Sequence, residues 1–331
     1  MPLTLAQAKV GLANKIDQAV IDEFRRDSFI LDKLTFDNAV SPGTGGSTLT
    51  YGYTQLKTPS VAEGRKINSE YQAGEALRDT KAVNLKIFGG SFDVDRVLET
   101  TAAKSEISFQ LEQKSKAVTN KFHNDFINGK STSSGDAGTD NTPFDGLDVL
   151  CTGLSTEYKP KAAIDLSTAA AIATNAEAFT FELDTWLATL SRKPDALLCN
   201  SKMATALKHI AKVMGYYSRT EDSFGAGVDT YDGIAIVDMG KYYNGATSKT
   251  EDVVKINAED GTTSLYAVCF GLNALHAASP TGNKIINTYL PNLSDPGAVK
   301  RGEVEMVAAI VLKDTTKAGV FRNIKVAATE E

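Results

Sequence analysis

Apolar positions in the first 40 residues recur at the spacing of an amphipathic helix. We expect this helix to end before segment 41–47, whose glycine and proline content predicts a loop. A helix on such a tether can dock on another surface or pack on its own domain, and the pattern favours neither. The apolar positions are Leu12, Ile16, Val20, Phe24, Ile30 and Leu31.

Two strand-like runs follow, Thr48–Gln55 and Lys81–Phe88, in which apolar or aromatic residues alternate with others. The segment between them, 56–80, is polar, dotted with glycine and poor in large apolar side chains. Loops longer than about 12–15 residues are usually functional or disordered, and an isolated two-stranded ribbon is only marginally stable in water. The pattern therefore predicts an extended excursion that needs a partner surface.

A long amphipathic helix is predicted from about Val94 to Asn128. Gly89-Gly90 is predicted to interrupt the secondary structure before this helix, and Gly129 is predicted to end it. A helix of about 30 residues spans roughly 45 Å and is long for a globular protein. We expect it to act as a strut. Its apolar stripe comprises Val94, Val97, Leu98, Ile107, Leu111, Val118, Phe122 and Phe126.

The second half of the chain alternates helical and strand-like patterns after a Ser/Gly/Asp-rich linker at 130–142. Asn200-Ser201 has the composition of a helix cap, and the helix that follows is expected to stop at Gly215. The other predicted elements are a helix at 177–190 and strands at 195–199, 231–238, 264–270, 301–312 and 319–326.

Composition places the chain among ordinary globular proteins, because its 331 residues are 42% hydrophobic and 23% charged. The longest apolar run, Met306–Leu312, is far shorter than the ~20 residues of a membrane-spanning helix. The N-terminal sequence lacks the pattern of a secretory signal. A net charge of −6 without a basic cluster argues against sequence-specific nucleic-acid recognition. We therefore expect a cytosolic protein without a membrane segment.

The motifs of common catalytic and metal sites are missing from the sequence. The histidines His123, His209 and His276 have no metal-ligand spacing, and no G-x-S-x-G motif supplies a nucleophile. The loop 41–48 lacks the lysine of a phosphate-binding loop. Cys151, Cys199 and Cys269 match no zinc or redox spacing, and the apolar surroundings of the last two predict burial. The sequence predicts no enzyme, no cofactor and no metal.

The order of elements and several short segments carry a family resemblance. The segments are the excursion (48–88), the long helix (94–128), Pro143-Phe-Asp-Gly-Leu147, Leu198-Cys-Asn-Ser-Lys-Met203, Gly215-Tyr-Tyr-Ser218 and Asp229–Asp238. Together they resemble the major capsid proteins of tailed bacteriophages, whose HK97-like fold is shared with encapsulin shells. The resemblance covers nearly the whole chain through loose motifs.

The resemblance implies an α+β, HK97-like capsid fold with four parts. These are an N-terminal arm (1–46), an extended β-hairpin called the E-loop (47–90), a peripheral domain with a spine helix (91–164 and 286–331) and an α/β axial domain (165–285). The E-loop would lie across a neighbouring subunit, and the arm would reach under one. The axial domain would surround five- and six-fold axes.

The function implied by the resemblance is that of a major capsid protein. The protein would assemble with itself, through pentamers and hexamers, into an icosahedral virion capsid in the cytoplasm of a bacterial host. The shell would enclose double-stranded phage DNA without sequence-specific binding. Scaffolding, portal and decoration proteins are further expected partners.

Charged residues of the excursion are predicted to contact neighbouring subunits. The alternative is that they are simply solvated, since exposed ion pairs contribute only ~0–1 kcal/mol. The residues are Glu63, Arg65, Lys66, Glu70, Glu75 and Arg78.

Three other functions stay open from the residues alone. An encapsulin-type compartment would have the same fold and hold protein cargo. A tail or sheath subunit would form tubes, and a soluble α/β enzyme would need a pocket with perturbed titratable groups.

Overall fold

Two mixed β-sheets organise the chain, which a computed structural model describes over residues 28–38, 49–58, 60–71, 74–101, 106–131, 143–215, 218–221, 227–245, 247–280 and 286–328. The helices of these residues are α1 (Phe29–Lys33), α2 (Arg96–Thr101), α3 (Glu106–Asn128), α4 (Leu147–Cys151), α5 (Ala169–Leu187) and α6 (Ser201–Val213). The strands of the first half are β1 (Phe36–Asn38), β2 (Thr50–Thr58), β3 (Leu77–Asn84), β4 (Lys86–Asp95), β5 (Glu157–Tyr158) and β6 (Ile164–Asp165). The strands of the second half are β7 (Ala196–Cys199), β8 (Ser218–Glu221), β9 (Gly227–Tyr231), β10 (Ile234–Asp238), β11 (Lys241–Asn244), β12 (Lys249–Asp252), β13 (Thr262–Val268), β14 (Leu275–Ser279), β15 (Ile286–Tyr289), β16 (Val299–Leu312) and β17 (Ala318–Lys325).

The first sheet has five strands in the order β1-β14-β16-β15, with β4 also paired to β16. The long strand β16 alternates buried and exposed residues along its first half, so one face of the sheet is covered. The helix α3 packs against β4 and β16. Phe122 and Phe126 of α3 are fully buried there, and the Phe122 ring stacks on Phe88 with centroids 6.2 Å apart.

The second sheet has eight strands in the order β5-β17-β13-β7-β10-β9-β8, with β6 also paired to β17. The helices α5 and α6 bury their apolar stripes against it, forming a core that includes Phe179, Leu183 and Trp186. Trp186 Nε1 donates a hydrogen bond to the carbonyl oxygen of Thr156 (2.9 Å), so the buried indole N–H is satisfied. The other face contributes Leu198, among others, to the core shared with the first sheet.

The helix cap predicted at Asn200 is confirmed. Asn200 Oδ1 accepts a hydrogen bond from the backbone N–H of Met203 (2.9 Å). Its amide donates to the Val254 carbonyl (3.2 Å) and to Thr263 Oγ1 (2.7 Å). One buried side chain therefore starts α6 and ties it to β13 and the segment before it.

The long helix differs from the prediction at its start. The secondary structure is not interrupted at Gly89-Gly90, because β4 continues through both glycines to Asp95. The helices α2 and α3 follow. Residues 102–105, between these helices, lie outside the described ranges. A Cβ on Gly89 would lie 2.1 Å from the Val304 carbonyl oxygen, so here glycine allows two strands to approach closely.

The predicted helix of the N-terminal arm lies mostly outside the described residues. Its described end is the short helix α1, which Ser28 caps by accepting a hydrogen bond from the Leu31 N–H (3.2 Å). The helix ends at Lys33, earlier than predicted, since the chain then pairs through β1 with β14 in parallel.

The predicted domain boundaries stay a prediction, and each sheet draws strands from both sides of position 285. β14 lies in the five-stranded sheet beside β16, and β17 lies in the eight-stranded sheet beside β13. Among the described residues, no helix has the length and apolar character to span a membrane.

Candidate assembly surface

The excursion predicted between the first two strand-like runs forms a two-stranded antiparallel hairpin, β2–β3, separate from both main sheets. The pairing runs from Thr50 opposite Asn84 to Thr58 opposite Leu77, and its register shifts once, between Leu56 and Thr58. We call residues 50–84 the ribbon. Strand β2 is longer than predicted and β3 starts earlier, so the ladder reaches further outwards than the hydrophobic pattern indicated.

The root of the ribbon is fixed to the five-stranded sheet through one face of β2. Tyr51, Tyr53 and Gln55 alternate along the strand and are buried. Tyr51 Oη donates a hydrogen bond to Asp37 Oδ2 (2.6 Å), and Gln55 Nε2 donates to the Leu312 carbonyl (3.4 Å). The Tyr51 ring meets the fully buried ring of His276 edge-on, with centroids 5.7 Å apart.

The root also perturbs its titratable groups. Burial and the hydrogen bond to Asp37 raise the pKa of Tyr51. Burial and the nearby Lys313 ammonium lower the pKa of His276 to about 4. The tyrosine and the histidine are therefore neutral near pH 7, which suits an apolar anchor.

Beyond the root, none of the described residues of its own chain covers the ribbon. Every described residue from 60 to 82 is exposed. The large apolar side chains are included, with exposed fractions of 74% for Val61, 91% for Ile67, 66% for Tyr71 and 53% for Leu77. Large apolar side chains exposed together are typical of an interaction surface.

The tip nevertheless has a defined local structure. The Ser69 N–H donates a hydrogen bond to the Lys66 carbonyl (3.1 Å), closing a turn in which Asn68 has a φ of 66°. Asparagine tolerates this left-handed conformation. Arg65 Nη1 donates to the Ser69 carbonyl (3.2 Å), and its guanidinium lies 5.4 Å from the centre of the Tyr71 ring.

The six charged residues predicted as subunit contacts all lie exposed on the ribbon. In the parts of the chain that the structure describes, none of them forms an ion pair within its own subunit. Their charges are thus available to a partner or to solvent, and their role at subunit contacts stays a prediction. The residues are Glu63, Arg65, Lys66, Glu70, Glu75 and Arg78.

The three cysteines are buried free thiols. Burial raises the pKa of the Cys151 thiol to about 12, and it raises the pKa values of Cys199 and Cys269 as well. The thiolate, which is the reactive form, is therefore disfavoured at all three positions.

Two of the three histidines are likewise held by packing. His123 Nε2 lies 2.6 Å from Ser28 Oγ, and burial lowers the pKa of His123 to about 4. His276 has the packed environment described at the root of the ribbon. These side chains serve the fold.

A partly exposed arginine network joins α4 and the residue after it to the eight-stranded sheet. Arg322 of β17 donates to Glu157 Oε1 (2.5 Å), Asp148 Oδ1 (2.6 Å) and Thr152 Oγ1 (2.8 Å). Tyr266 Oη donates to the same Asp148 oxygen (3.0 Å). The sequence analysis missed this network, because its members are separated by as many as 174 residues.

Comparison with known proteins identifies one family and a set of similar structures. The sequence model of the SU10 major capsid protein family matches residues 31–240. No curated protein matches the chain.

Among solved structures, the SrpI encapsulin of Synechococcus elongatus PCC 7942 is 13% identical with a TM-score of 0.57, covering 92% of this chain and 89% of that one. The capsid of the native GTA particle is 11% identical with a TM-score of 0.57, covering 90% of each. The capsid of Myoviridae phage XM1 is 15% identical with a TM-score of 0.52, covering 89% and 91%. The likeness extends over nearly the whole chain and confirms the predicted α+β, HK97-like fold.

Proposed function

The chain belongs to the SU10 major capsid protein family, and from this premise we propose that it assembles through pentamers and hexamers into a closed icosahedral shell. The shell encloses double-stranded phage DNA. The protein forms the capsid of the virion, and its role is structural rather than catalytic. Assembly takes place in the cytoplasm of the bacterial host.

The ribbon carries this proposal. It is anchored at one end through Tyr51, Tyr53 and Gln55, and the described residues 60–82 are exposed. A two-stranded ribbon gains little stability alone, whereas each large apolar side chain that becomes fully buried contributes roughly 1.5–3 kcal/mol. The ribbon therefore acts as an E-loop that lies on a neighbouring subunit and is stabilised there.

The charged residues of the ribbon, which form no ion pair among the described residues, give this contact its register. Like charges that meet across an interface are unfavourable, while complementary charges select one alignment. Glu63, Arg65 and Lys66 flank the exposed Val61 and Ile67, so apolar and charged positions are interleaved along the same segment. The apolar residues supply affinity and the charges fix orientation.

The acidic character of the chain suits a container for DNA. The net charge is −6, and phosphate binding depends on clustered lysine and arginine side chains, which the sequence lacks. The shell therefore holds DNA without sequence-specific contacts. Scaffolding, portal and decoration proteins are its further partners, and the arm of residues 1–46 reaches under an adjacent subunit.

Electron microscopy of the purified protein, together with light scattering, tests the proposal. We expect closed shells for the wild type and for the conservative variant V61I/I67V/Y71F/L77M. The variant V61S/I67S/Y71S/L77S should remain in small oligomers with an unchanged circular dichroism spectrum. Shells formed equally well by the serine variant would contradict the role of the ribbon, and a wild type that stays monomeric would contradict the function.

An encapsulin-type compartment is the second candidate, favoured by the structural similarity to the SrpI encapsulin. The two functions differ in what the shell holds. Nucleic acid extracted from nuclease-treated particles from the native source supports the capsid. A stoichiometric second protein inside nucleic-acid-free particles supports the compartment.

A further inference from the structure

A groove lies between α3 and the segment 237–245, which contains the end of β10 and all of β11. Two adjoining cavities of about 510 and 520 Å³ form it, and Lys116 and Asn120 line both of them. Its lining on α3 extends from Gln113 to Asn124, a length of roughly 17 Å. These lining residues recur at spacings of three and four, so they share one side of the helix. A groove of this shape is typical of a site that receives a second helix.

The lining of the groove combines apolar and polar side chains. The buried Met239 and the half-buried Phe29 and Val237 line the first cavity. The exposed Ala117 and Tyr243 line the second. The lysine side chains of the lining can cover an apolar partner with their aliphatic stems while their charged ends stay in water. The groove therefore suits an amphipathic helix with charged residues beside its apolar stripe.

The described part of the chain begins at this groove. Ser28 and Ile30, at the start of α1, belong to its lining. Ser28 is 2% exposed, and its hydroxyl oxygen accepts from the Leu31 N–H and lies 2.6 Å from His123 Nε2 of α3. The point at which residues 1–27 join the described chain is therefore fixed against the groove.

The sequence pattern of the arm matches the groove in length. Its apolar positions from Leu12 to Phe24 recur every four residues, and a helix carries them over roughly 18 Å. The four residues from Phe24 to Ser28 span at most about 14 Å when extended, so the stripe can reach a groove that Ser28 itself lines. A tether this short gives an effective concentration on the order of millimolar. In dilute solution the arm of another subunit cannot match that concentration.

The charges of the arm and the groove are compatible. The segment 12–27 has four acidic and three basic residues. The groove lining has three lysines, Lys116, Lys121 and Lys241, and the single carboxylate of Asp238. Each lysine also has a carboxylate of its own chain within 4 Å. Charge therefore contributes to the orientation of the segment more than to its affinity.

We propose that residues 12–27 dock as an amphipathic helix in the groove of their own subunit while that subunit is free. The contact goes beyond the proposed function, in which the arm reaches under an adjacent subunit. The arm leaves the groove when a neighbouring subunit offers it another surface. A free subunit therefore keeps its arm bound to itself, which limits association before assembly begins.

Cross-linking within one subunit tests the contact. Val20 lies within the arm stripe, Ala117 is exposed in the groove, and all three native cysteines are buried. An equal mixture of isotopically heavy and light V20C/A117C subunits, kept monomeric by dilution, is treated with a short bismaleimide. Mass spectrometry should find linked peptides in which both halves carry the same isotope. The control V20C/T185C places its second cysteine on the exposed side of α5, across the eight-stranded sheet, and should give no link.

A labelled peptide of residues 8–27 provides the second readout. The full-length variant L12S/I16S/V20S/F24S should bind this peptide at least about tenfold more tightly than the wild type, whose own arm competes for the groove. The conservative variant L12I/I16V/V20I/F24L should bind it as weakly as the wild type. Adding A117E to the serine variant should remove the binding, which locates the peptide in the groove.

Several results would overturn the proposal. Links between heavy and light peptides would place the arm of another subunit in the groove, and an absence of links would leave the groove without the arm. Equal binding of the peptide by the wild type and the serine variant, or binding that A117E does not change, would also contradict the contact. The proposed function fails separately: if the wild type forms no shells but the same-isotope link appears, the contact stands and the shell is wrong.

Discussion

The ribbon and the eight-stranded sheet are both built from hydrogen-bonded strand ladders, but they differ in what covers their side chains. All four residues of β7, in the sheet interior, are buried, whereas the first six residues of β3 in the ribbon are all exposed. The hydrogen bonds of a ladder contribute modestly because water competes for the same groups. The difference in stability between the two regions therefore comes from side-chain burial.

Under the proposed function, the two regions place their stabilising contacts in different molecules. The eight-stranded sheet is complete within one chain, with α5 and α6 on one face and the shared core on the other. The ribbon is complete only at its root. We expect substitutions in the sheet to affect folding and substitutions in the ribbon to affect assembly.

The largest predicted contrast is in the free energy of unfolding of the free subunit, between Phe321→Ala in the eight-stranded sheet and Ile67→Ala in the ribbon. Phe321 is fully buried, and its ring centre lies 4.9 Å from that of Tyr158, 5.7 Å from Phe179 and 5.6 Å from Trp186. Its truncation should lower the free energy of unfolding of the free subunit by about 3–5 kcal/mol. Ile67→Ala should change it by less than about 0.5 kcal/mol.

Urea titration followed by tryptophan fluorescence measures this difference, since the chain has a single tryptophan, Trp186, in contact with Phe321. Equal destabilisation by the two substitutions would show that the ribbon contributes to the core of its own subunit.

A smaller loss of folding stability is expected when acid protonates His276 at the root of the ribbon. Burial and Lys313 lower the pKa of His276 to about 4 in the folded chain, whereas an unfolded histidine titrates near ~6.5. The unfolded state therefore takes up the proton first as the pH falls. Stability should be lost between about pH 6.5 and 4, by about 2–3 kcal/mol for this residue.

The measurement is the free energy of unfolding as a function of pH for the wild type and His276→Gln. His123 contributes a slope of its own, because burial lowers its pKa to about 4 as well. The informative quantity is the difference between the wild-type and His276→Gln curves. Parallel curves would show that protonation of His276 does not cause the loss of stability in acid.

A smaller contrast is expected between two glycines of the sheet and the ribbon. A Cβ on Gly302 would lie 2.4 Å from the Phe92 ring, whereas a Cβ on Gly52 would have nothing within 4 Å. Gly302→Ala should destabilise the free subunit by about 1–3 kcal/mol through overpacking. Gly52→Ala should be neutral or slightly stabilising, because alanine loses less conformational freedom than glycine.

Thermal unfolding of the two glycine variants provides the measurement, and Phe92→Leu combined with Gly302→Ala is the control. If the clash is responsible, the double variant should be destabilised by less than the sum of the two single changes. An additive result would assign the effect of Gly302→Ala to the backbone instead.

Local patterns predicted the parts of the fold that local chemistry determines. The cap at Asn200, the alternation of β16 and the poor apolar content of segment 56–80 each depend on residues close in sequence, and each corresponds to an observed feature. The order of the elements then carried the family resemblance, and the resemblance implied the HK97-like fold.

The missed features depend on residues that meet only after folding. The Tyr51–His276 contact joins positions 225 residues apart, and the parallel pairing of β1 with β14 leaves no trace in either strand alone. The pair Gly89-Gly90 is typical of an interruption in secondary structure, yet in the fold it lies within β4, where two strands approach closely. The sequence pattern also did not reveal that Phe181 of α5 is 73% exposed. A helical pattern shows which positions are apolar but not which side of the helix is covered.

The exposed ribbon has a genetic consequence. In a shell made of one gene product, a mutation at the tip is present in every copy, and if the ribbon lies on a neighbouring subunit as proposed, the surface that receives the tip is encoded by the same gene. Compensating mutations would therefore arise within one reading frame, at positions that never touch within one folded chain. Related sequences should therefore show correlated substitutions between the ribbon and surface residues that are distant from it within one chain.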